Sequence, residues 1–276
     1  MSPQRPTAGD RVVQAAIRRI HERGVSVGLE GISLEDAIAS SGVSRATAYR
    51  HWPSRADFLR AVLVQIVRET RLEPEGSQEI AAIRGFVKGH REDATTEAGR
   101  RTIVVESLRI AMEADFGRLA SSREWTDYLA LRATCTSLPH DELRDTVTGE
   151  IAAAERRFAL HRASVYARLP QLMGYRLVPP LAGPSGFEVM ADAMGALMTG
   201  LVVRASVAPD GSCFRARAFG SSVAAEWTHT AYALVATFLS FLEPDPELEW
   251  TEERVLAAVA AFEDLTDVIE SARQPR

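Results

Sequence analysis

The sequence predicts an all-α protein with a small N-terminal three-helix domain and a larger C-terminal helical domain. Two observations predict this class. Residues 33 to 52 contain two short capped helices around a glycine turn. From about residue 78 onward, every long segment has helical rather than alternating apolar periodicity, so we expect no strands. A chain of 276 residues is long enough for two domains, which we place at 1–55, ordered from about residue 8, and 56–276.

Composition and charge narrow the class of protein. A hydrophobic content of 46% with 25% charged residues is ordinary for a soluble globular chain. The net charge of −5 argues against a general nucleic-acid coat, but its distribution is uneven. Residues 1–60 hold nine arginines and six acids, a net charge of +3, so the rest of the chain carries −8. A basic small domain joined to an acidic body is typical of a site-specific DNA-binding protein.

Cysteine usage and hydropathy predict the compartment. Cys135 and Cys213 are far apart and fit no metal-binding spacing, which indicates reduced thiols and no metal site. The polar N-terminus has no apolar core of a secretory signal. The uncharged apolar runs Ala193 to Val203 and Trp227 to Leu242 are too short to span a membrane. We therefore expect a cytoplasmic protein that does not enter the membrane.

The first predicted helix begins around residues 7 to 10 and ends at Gly24. Its apolar residues recur at helical spacing and can support the following motif from behind; they are Val12, Val13, Ala16, Ile17 and Ile20. The arginines at 11, 18, 19 and 23 lie mostly off that stripe. A solvated face is the favoured interpretation of these arginines, and phosphate contact is the alternative.

The segment from Ser33 to Trp52 reads as helix, turn, helix. Ser33 is placed to cap the first helix, and Gly42 occupies the position where the chain turns left-handed. Ser44 is placed to cap a second helix that runs from Arg45 to about His51. On that helix Ala48 and Trp52 face inward, with Tyr49 at the edge. The outer face is then short, polar and cationic, and it holds Arg45, Ala46, Thr47, Arg50 and His51.

Such an outer face suits a helix that reads DNA, because its first residues must reach base edges while hydroxyl and basic side chains bind phosphates. A plain helical hairpin with no nucleic-acid partner is the competing interpretation.

The chain after the motif predicts one linking helix and a helical body. Pro53-Ser54 starts a helix from 55 to 71, which is followed by a linker at 72–77. Body helices are expected at about 78–92, 98–114, 115–135, 140–169, 186–207, 220–242 and 251–272.

A longer pattern identifies a family that the chain resembles. The residues that carry it are Gly42-Val43-Ser44, Thr47, Tyr49-Arg50-His51-Trp52, Pro53-Ser54-Arg55, Phe58, Leu59 and Leu63. With the preceding helix, the segment from about 10 to 65 resembles the DNA-binding region of tetracycline-repressor (TetR) family regulators. The resemblance implies a homodimer that binds a palindromic double-stranded DNA operator, and it implies that Arg55 meets a phosphate.

On this basis we assign DNA contacts to nine residues. Arg45 and Thr47 are the base-reading candidates, and Ala46 and Arg50 lie beside them on the same face. The phosphate contacts are assigned to Ser33, Ser44, Tyr49, His51 and Arg55.

Two late helices are candidates for the dimer interface. The helices at about 186–207 and 220–242 are apolar over most of their circumference, so each must be covered on more than one side. Burial within one chain is one explanation, and a two-fold four-helix interface is the other. The TetR resemblance favours the dimer. The amphipathic helix at 251–272 is expected to pack outside this pair.

The body shows no catalytic motif, and its histidines are scattered, so we expect a ligand-binding domain rather than an enzyme, with no cofactor or metal. Plain core packing is the competing explanation for each effector-site candidate. Glu106 and Arg109 either pair with each other or orient a ligand. The candidates are Glu106, Arg109, Met112, Trp125, Tyr128, Tyr166, Met173, Met190 and Met194.

Together these features predict a ligand-responsive transcriptional regulator, and specifically a repressor that a small, largely apolar molecule releases from its operator. A transcriptional activator or a ligand-independent DNA-binding protein of the same fold is the alternative. A helical enzyme that merely carries a similar hairpin is the third possibility.

Overall fold

The structure, a computed structural model, describes residues 6–23, 31–70, 77–137, 142–183, 185–209 and 211–263. Most of the predicted linker at 72–77 and the predicted helix beyond residue 263 lie outside these ranges. The helices are α1 (Ala8–Arg23), α2 (Leu34–Ser41), α3 (Arg45–His51), α4 (Arg55–Glu69), α5 (Ser77–Gly89), α6 (Glu97–Ser121), α7 (Arg123–Ser137), α8 (Glu142–Leu172), α9 (Gly186–Val207), α10 (His229–Ser240) and α11 (Glu252–Glu263). The strands are β1 (Tyr175–Leu177), β2 (Cys213–Ala216), β3 (Ala225–Thr228) and β4 (Leu242–Pro244).

The described residues form two compact units. One unit combines residues 1–73 with 122–156, and the other combines 74–121 with 157–276. Helix α8 contributes its first half to the first unit and its second half to the second unit. This grouping by contacts differs from a division at residue 55, and the functional boundary at that residue stays a prediction.

The first unit is built around α1. This helix contacts α2, α3, α4 and α7, because its apolar stripe is buried as the sequence predicts. Helix α4 buries a matching stripe. The core residues of the two helices are Val12, Val13, Ala15, Ala16, Ile17, Ile20, Phe58, Leu59, Val62, Leu63, Ile66 and Val67.

Ion pairs join α4 to the first half of α8 within this unit. The Arg68 guanidinium donates to the Glu150 carboxylate at 2.6 Å, and the Arg60 guanidinium lies 3.3 Å from the Glu142 carboxylate. The Glu150 carboxylate raises the pKa of Arg68 through this hydrogen bond. The linking helix is therefore held by charge as well as by apolar packing.

The second unit is organised around α6, which contacts α5, α9 and α10. Helix α11 packs against α5 and the short 3-10 helix Glu92–Thr95. The prediction that the C-terminal helix packs outside the two late helices is therefore wrong for the part that is described. The Trp250 ring just before α11 is covered by the Arg100 guanidinium, 4.2 Å from the ring centre, which fixes the start of this helix to α6.

The prediction of no strands is wrong. Strands β2 and β3 form an antiparallel hairpin in which Phe214 pairs with Trp227. Strands β1 and β4 pair antiparallel, with Arg176 opposite Glu243. Each strand has only three or four residues, which is too short for alternation to be distinguished from helical periodicity. The chain remains all-α in class, with two small sheets added.

The predicted helix at 220–242 is correspondingly too long. Residues 225–228 are the strand β3, and α10 begins only at His229, where the Thr228 hydroxyl accepts a hydrogen bond from the Ala231 amide. Trp227 is a fully buried residue of strand β3. It therefore does not belong to the second late helix, where the sequence predicted it.

The break between α6 and α7 also differs from the predicted position near residue 114. Helix α6 continues through Gly117 and ends at Ser121. The Ser122 hydroxyl then accepts from the Trp125 amide at 3.1 Å and caps α7. A single glycine costs a helix about 1 kcal/mol, which tertiary packing readily overrides.

Helix α9 has a buried and an exposed apolar face. The buried residues include Met190, Met194, Met198 and Val202, and the exposed stripe on the other side holds Val189, Ala196, Gly200, Val203 and Val207. One exposed carboxylate, Asp192, lies on the same side between Val189 and Ala196. By length and composition α9 is long enough to cross a membrane, but the core helices of soluble proteins pass the same test. The uncharged run at 193–203, which on sequence grounds is too short to span a membrane, is only the middle of this helix. The whole helix is longer and therefore meets the length criterion.

Candidate nucleic-acid interface

The helix–turn–helix geometry follows from local hydrogen bonds. The Ser33 hydroxyl accepts from the Asp36 amide at 3.2 Å and caps α2, and the Ser44 hydroxyl accepts from the Thr47 amide at 3.2 Å and caps α3. Gly42 has φ of 69°, the left-handed conformation that ends α2 and that L-residues rarely adopt. The predicted caps and turn are confirmed.

Buried side chains hold the two helices at a defined angle. Val43 fills the turn, and Ala48 and Trp52 are buried as predicted. The Trp52 ring packs edge-on against Phe58 of α4, with 5.4 Å between ring centres. The inward face of α3 is thus fixed against the core of the first unit, and its opposite face must be exposed.

The exposed face is cationic. Arg45, Ala46, Arg50 and His51 are exposed on α3, and Arg55 is exposed in the first turn of α4. Thr47 is half-buried, and its hydroxyl lies 2.9 Å from the Ser44 hydroxyl. The structure therefore brings the predicted DNA-binding residues together around α3, at a distance from the apolar core.

Tyr49 differs from its predicted role because its hydroxyl already has a partner. The hydroxyl donates to the Glu35 carboxylate at 2.9 Å, and the Ser33 hydroxyl donates to the same carboxylate at 3.2 Å. Hydrogen bonds from its own backbone amide, from Tyr49 and from Ser33 lower the pKa of Glu35, while that carboxylate raises the pKa of Tyr49. A carboxylate thus lies within the predicted phosphate-binding face.

Sequence reasoning missed Glu35 as a member of this face. In the sequence it reads only as an acid in the first turn of α2, where it favours the helix dipole. Its pairing with Tyr49 spans fourteen residues and depends on the angle between α2 and α3. No local pattern could have shown it.

Asp36 has a second role beyond the start of α2. Its carboxylate accepts from the Arg19 guanidinium at 2.7 Å, so α1 is tied to α2 by an ion pair as well as by apolar packing. Arg11 and Arg18 are exposed. Exposure leaves both interpretations of these two arginines open, whereas Arg19 is an internal link.

The effector-site candidates are divided between the two units: Trp125 and Tyr128 belong to the first, and the other seven belong to the second. Glu106 is fully buried in α6, where its carboxylate accepts from Arg109 Nε at 2.7 Å and from the Ser221 hydroxyl at 3.0 Å. Arg109 Nη1 also lies 3.4 Å from the Glu226 carbonyl oxygen. These bonds connect α6 to the hairpin region, which supports the pairing alternative for Glu106 and Arg109.

The remaining candidates are packed side chains. Met112, Met173, Met190 and Met194 are buried in the second unit. The Tyr166 ring packs edge-on against Phe238 at 4.9 Å, and burial raises the pKa of Tyr166 to about 12. Trp125 and Tyr128 lie in the first unit, 5.5 Å apart, and burial raises the pKa of Tyr128.

A cavity of about 780 Å³ lies in the second unit, and none of the nine candidates lines it. Its walls come from the second half of α8, β1, the following turn and the start of α9. The only sequence signal for it is the proline- and glycine-rich stretch at 178–186, which separates two helices. The ligand roles of the nine candidates stay predictions.

Within the described ranges, no three His, Cys, Asp or Glu side chains are close enough together to hold a metal ion. Both cysteines are free thiols there; Cys135 is buried, which raises its pKa, and Cys213 is exposed.

Comparison with known proteins adds little to this geometry. The sequence matches no protein-family model and no curated protein. The structure is similar to the crystal structure of a proposed transcriptional regulator from Rhodococcus sp. RHA1, with a TM-score of 0.41 and 19% sequence identity. The similarity covers 84% of this chain and 92% of that chain. A TM-score of this size does not establish a shared function, so the assignment of function depends on the residues of α2, α3 and α4.

Proposed function

We propose that this chain is a transcriptional regulator that binds a palindromic DNA operator as a homodimer. The observation that carries the proposal is α3, whose inner face is buried and whose outer face presents Arg45, Arg50 and His51 to solvent. A helix of this kind, capped and held by two others, has the form of a recognition helix in a helix–turn–helix protein. The resemblance of residues 10–65 to TetR-family regulators supports the same function.

Base reading is assigned to Arg45 and Thr47, because the first turn of a recognition helix reaches furthest into the major groove. Arg45 is exposed and has room to form two hydrogen bonds to a guanine. Arg55, Ser44 and His51 surround this position and are assigned to the phosphates. The net charge of +3 over residues 1–60 favours approach to DNA through this domain.

The exposed stripe of α9 supports a homodimer. Its two ends are valines, of which Val207 is 82% exposed, and its middle is formed by Ala196 and Gly200. Small residues between larger apolar ones allow two helices to approach closely. If a two-fold axis passed beside this stripe, the stripe of each subunit would be buried against that of the other. Tyr232 of α10 is also exposed, so α10 rather than the whole predicted segment 220–242 is the second interface element.

We further propose repression that ends when a small molecule binds the second unit. Helix α8 runs from that unit into the first, where Glu142 and Glu150 pair with Arg60 and Arg68 of α4. A shift of α8 would change these pairs and so move α4, which carries Arg55. Coupling of about 1–3 kcal/mol between ligand and DNA is sufficient for a switch of this type.

The proposal is tested by selecting bound sequences from a random duplex pool with the full-length protein, with and without a panel of metabolites. We expect an enriched palindrome with half-sites separated by about one helical turn or a multiple of it. Some members of the panel should reduce binding to it. A pool with no enriched palindrome would contradict the proposal.

Variants then separate base reading from phosphate binding. Arg45→Ala should relax the preference at one base pair by about 1–3 kcal/mol. Arg55→Ala should weaken binding to all sequences about equally. It should also reduce the salt dependence of binding by the amount expected for about one lost phosphate contact per half-site. Arg254→Ala, which removes an exposed arginine from α11, is the control and should change neither. Unchanged binding by both test variants would contradict the residue assignment.

A further inference from the structure

The cavity in the second unit has mostly apolar walls. On one side the face of α8 contributes Ala163 and Ala167, and on the other side lie Leu177 of β1 and Phe187 of α9. Its volume of about 780 Å³ is within the range of pockets that hold small organic ligands. Beside the cavity the backbone packs tightly at the start of α9, since a Cβ atom at Gly186 would lie 2.0 Å from the Leu181 carbonyl oxygen.

Two charged residues line this cavity, and only one of them is paired. Arg176 Nε donates to the Glu243 carboxylate at 2.9 Å across the β1–β4 pair, and its Nη1 lies 3.7 Å from the Asp245 carboxylate. Glu188, in the first turn of α9, has no hydrogen-bond or ion-pair partner among the described residues. The cavity thus contains one free carboxylate and one guanidinium that is already matched by two carboxylates.

This charge distribution discriminates between ligands. The two carboxylates that pair with Arg176 and the carboxylate of Glu188 together outweigh the one guanidinium, so these four groups carry a net charge of −2. An anion would have to compete with Glu243 and Asp245 for Arg176. A cation would find Glu188 unpaired, and a charge-assisted hydrogen bond to a carboxylate is about twice as strong as a neutral one. Arg162 does not offset this excess, because it lies on the other side of α8 over the Phe158 ring at 4.3 Å.

We propose that this cavity binds an amphipathic organic cation, with its apolar body between α8 and Phe187 and its ammonium group beside Glu188. The inference deepens the proposed function, since the bound cation would be the effector whose binding is transmitted through α8. Binding itself depends only on the cavity and is measured without DNA.

The test uses isothermal titration calorimetry on the full-length protein with three ligands that share a ten-carbon chain. These are decylammonium, decanoate and 1-decanol, each below the concentration at which it aggregates. We expect one decylammonium per chain, bound at least about tenfold more tightly than decanoate, as one charge-assisted hydrogen bond to Glu188 implies. Equal or tighter binding of decanoate would overturn the proposal, as would the absence of binding by the cation.

Three variants locate the site. Glu188→Gln should weaken decylammonium binding about tenfold while 1-decanol binding is unaffected. Asp192→Asn is the matched control, since it removes an exposed carboxylate one turn further along α9 that does not line the cavity. Ala167→Trp should obstruct part of the cavity and weaken binding of both decylammonium and 1-decanol, with thermal unfolding followed to confirm that the variant is folded. Equal losses in Glu188→Gln and Asp192→Asn would show a nonspecific charge effect and overturn the proposal.

Failure of this inference is distinct from failure of the proposed function. A selected palindrome that is bound equally with and without decylammonium, together with no calorimetric binding, would overturn the cavity assignment alone. Glu188-dependent cation binding without any selected palindrome would support the cavity assignment and contradict the regulator.

Discussion

The contact between Tyr49 and Glu35 predicts an unusual response of DNA binding to mutation. Because the Tyr49 hydroxyl donates to Glu35 at 2.9 Å, this hydroxyl is not available to a phosphate while the contact lasts. We therefore expect Tyr49→Phe to change operator affinity by less than about threefold, which is less than the contribution of one neutral hydrogen bond. Glu35→Gln should instead strengthen binding, because it removes a negative charge from the face that approaches DNA.

The size of the second effect follows from the geometry. A phosphate beside the Tyr49 hydroxyl would lie about 6 Å from the Glu35 carboxylate, given the 2.9 Å contact between hydroxyl and carboxylate. Repulsion between two unit charges at that distance corresponds to about a threefold change in binding constant in bulk water and about tenfold at half the bulk dielectric constant. Glu35→Gln should thus raise affinity about three- to tenfold per half-site, on all sequences alike, and most strongly at low salt.

The assay is fluorescence anisotropy with the selected operator and with a scrambled duplex, over a range of salt concentrations. Glu124→Gln, which removes an exposed carboxylate from α7, is the charge-matched control and should have no such effect. In the Glu35→Gln background, Tyr49→Phe should cost more than it does alone, because a neutral amide holds the hydroxyl less strongly than the carboxylate does and a phosphate then competes for it. Weaker binding by Glu35→Gln, or a tenfold loss from Tyr49→Phe alone, would refute this reasoning.

Three further predictions concern stability and assembly. Glu106→Gln should lower the free energy of unfolding by about 2–4 kcal/mol in urea titrations, because the carboxylate accepts from both Arg109 and Ser221. Ser44→Ala should cost about 1 kcal/mol in the same measurement, with a loss of DNA binding, because α3 loses its cap. Val203→Glu should convert a dimer to a monomer in light-scattering measurements, since it places a charge in the exposed stripe of α9.

Each of these predictions has its own control. Glu106→Leu combined with Arg109→Leu should cost less than either change alone, because no buried charge is then left unpaired. Thr95→Ala, the control for Ser44→Ala, removes an exposed hydroxyl from the 3-10 helix and should leave DNA binding unchanged. Leu256→Glu places the same charge on the exposed side of α11 and should leave the oligomeric state unchanged. A Glu106→Gln protein as stable as the native chain would show that the Glu106 contacts contribute little.

The helix–turn–helix and its outer face were predictable because their determinants are local. Caps such as Ser44 to the Thr47 amide span three residues, and the left-handed turn at Gly42 is a property of one residue. Periodicity likewise identified α9 and the buried stripe of α1, since residues on one helix face are only three or four positions apart. The all-α class and the exposed residues of α3 therefore followed from short-range patterns.

Features that join distant parts of the chain were decided only by the tertiary structure. The hairpin of β2 and β3 depends on cross-strand pairing, in which Phe214 lies opposite Trp227. Four residues of either strand alone are too few for strand periodicity to be distinguished from helical periodicity. The pairing of Glu106 with Ser221 and that of Tyr49 with Glu35 depend on the angles at which helices meet. The cavity beside Glu188 is space left between α8, β1 and α9. Sequence specifies which side chains each helix can present, whereas packing decides which of them meet and where a gap remains.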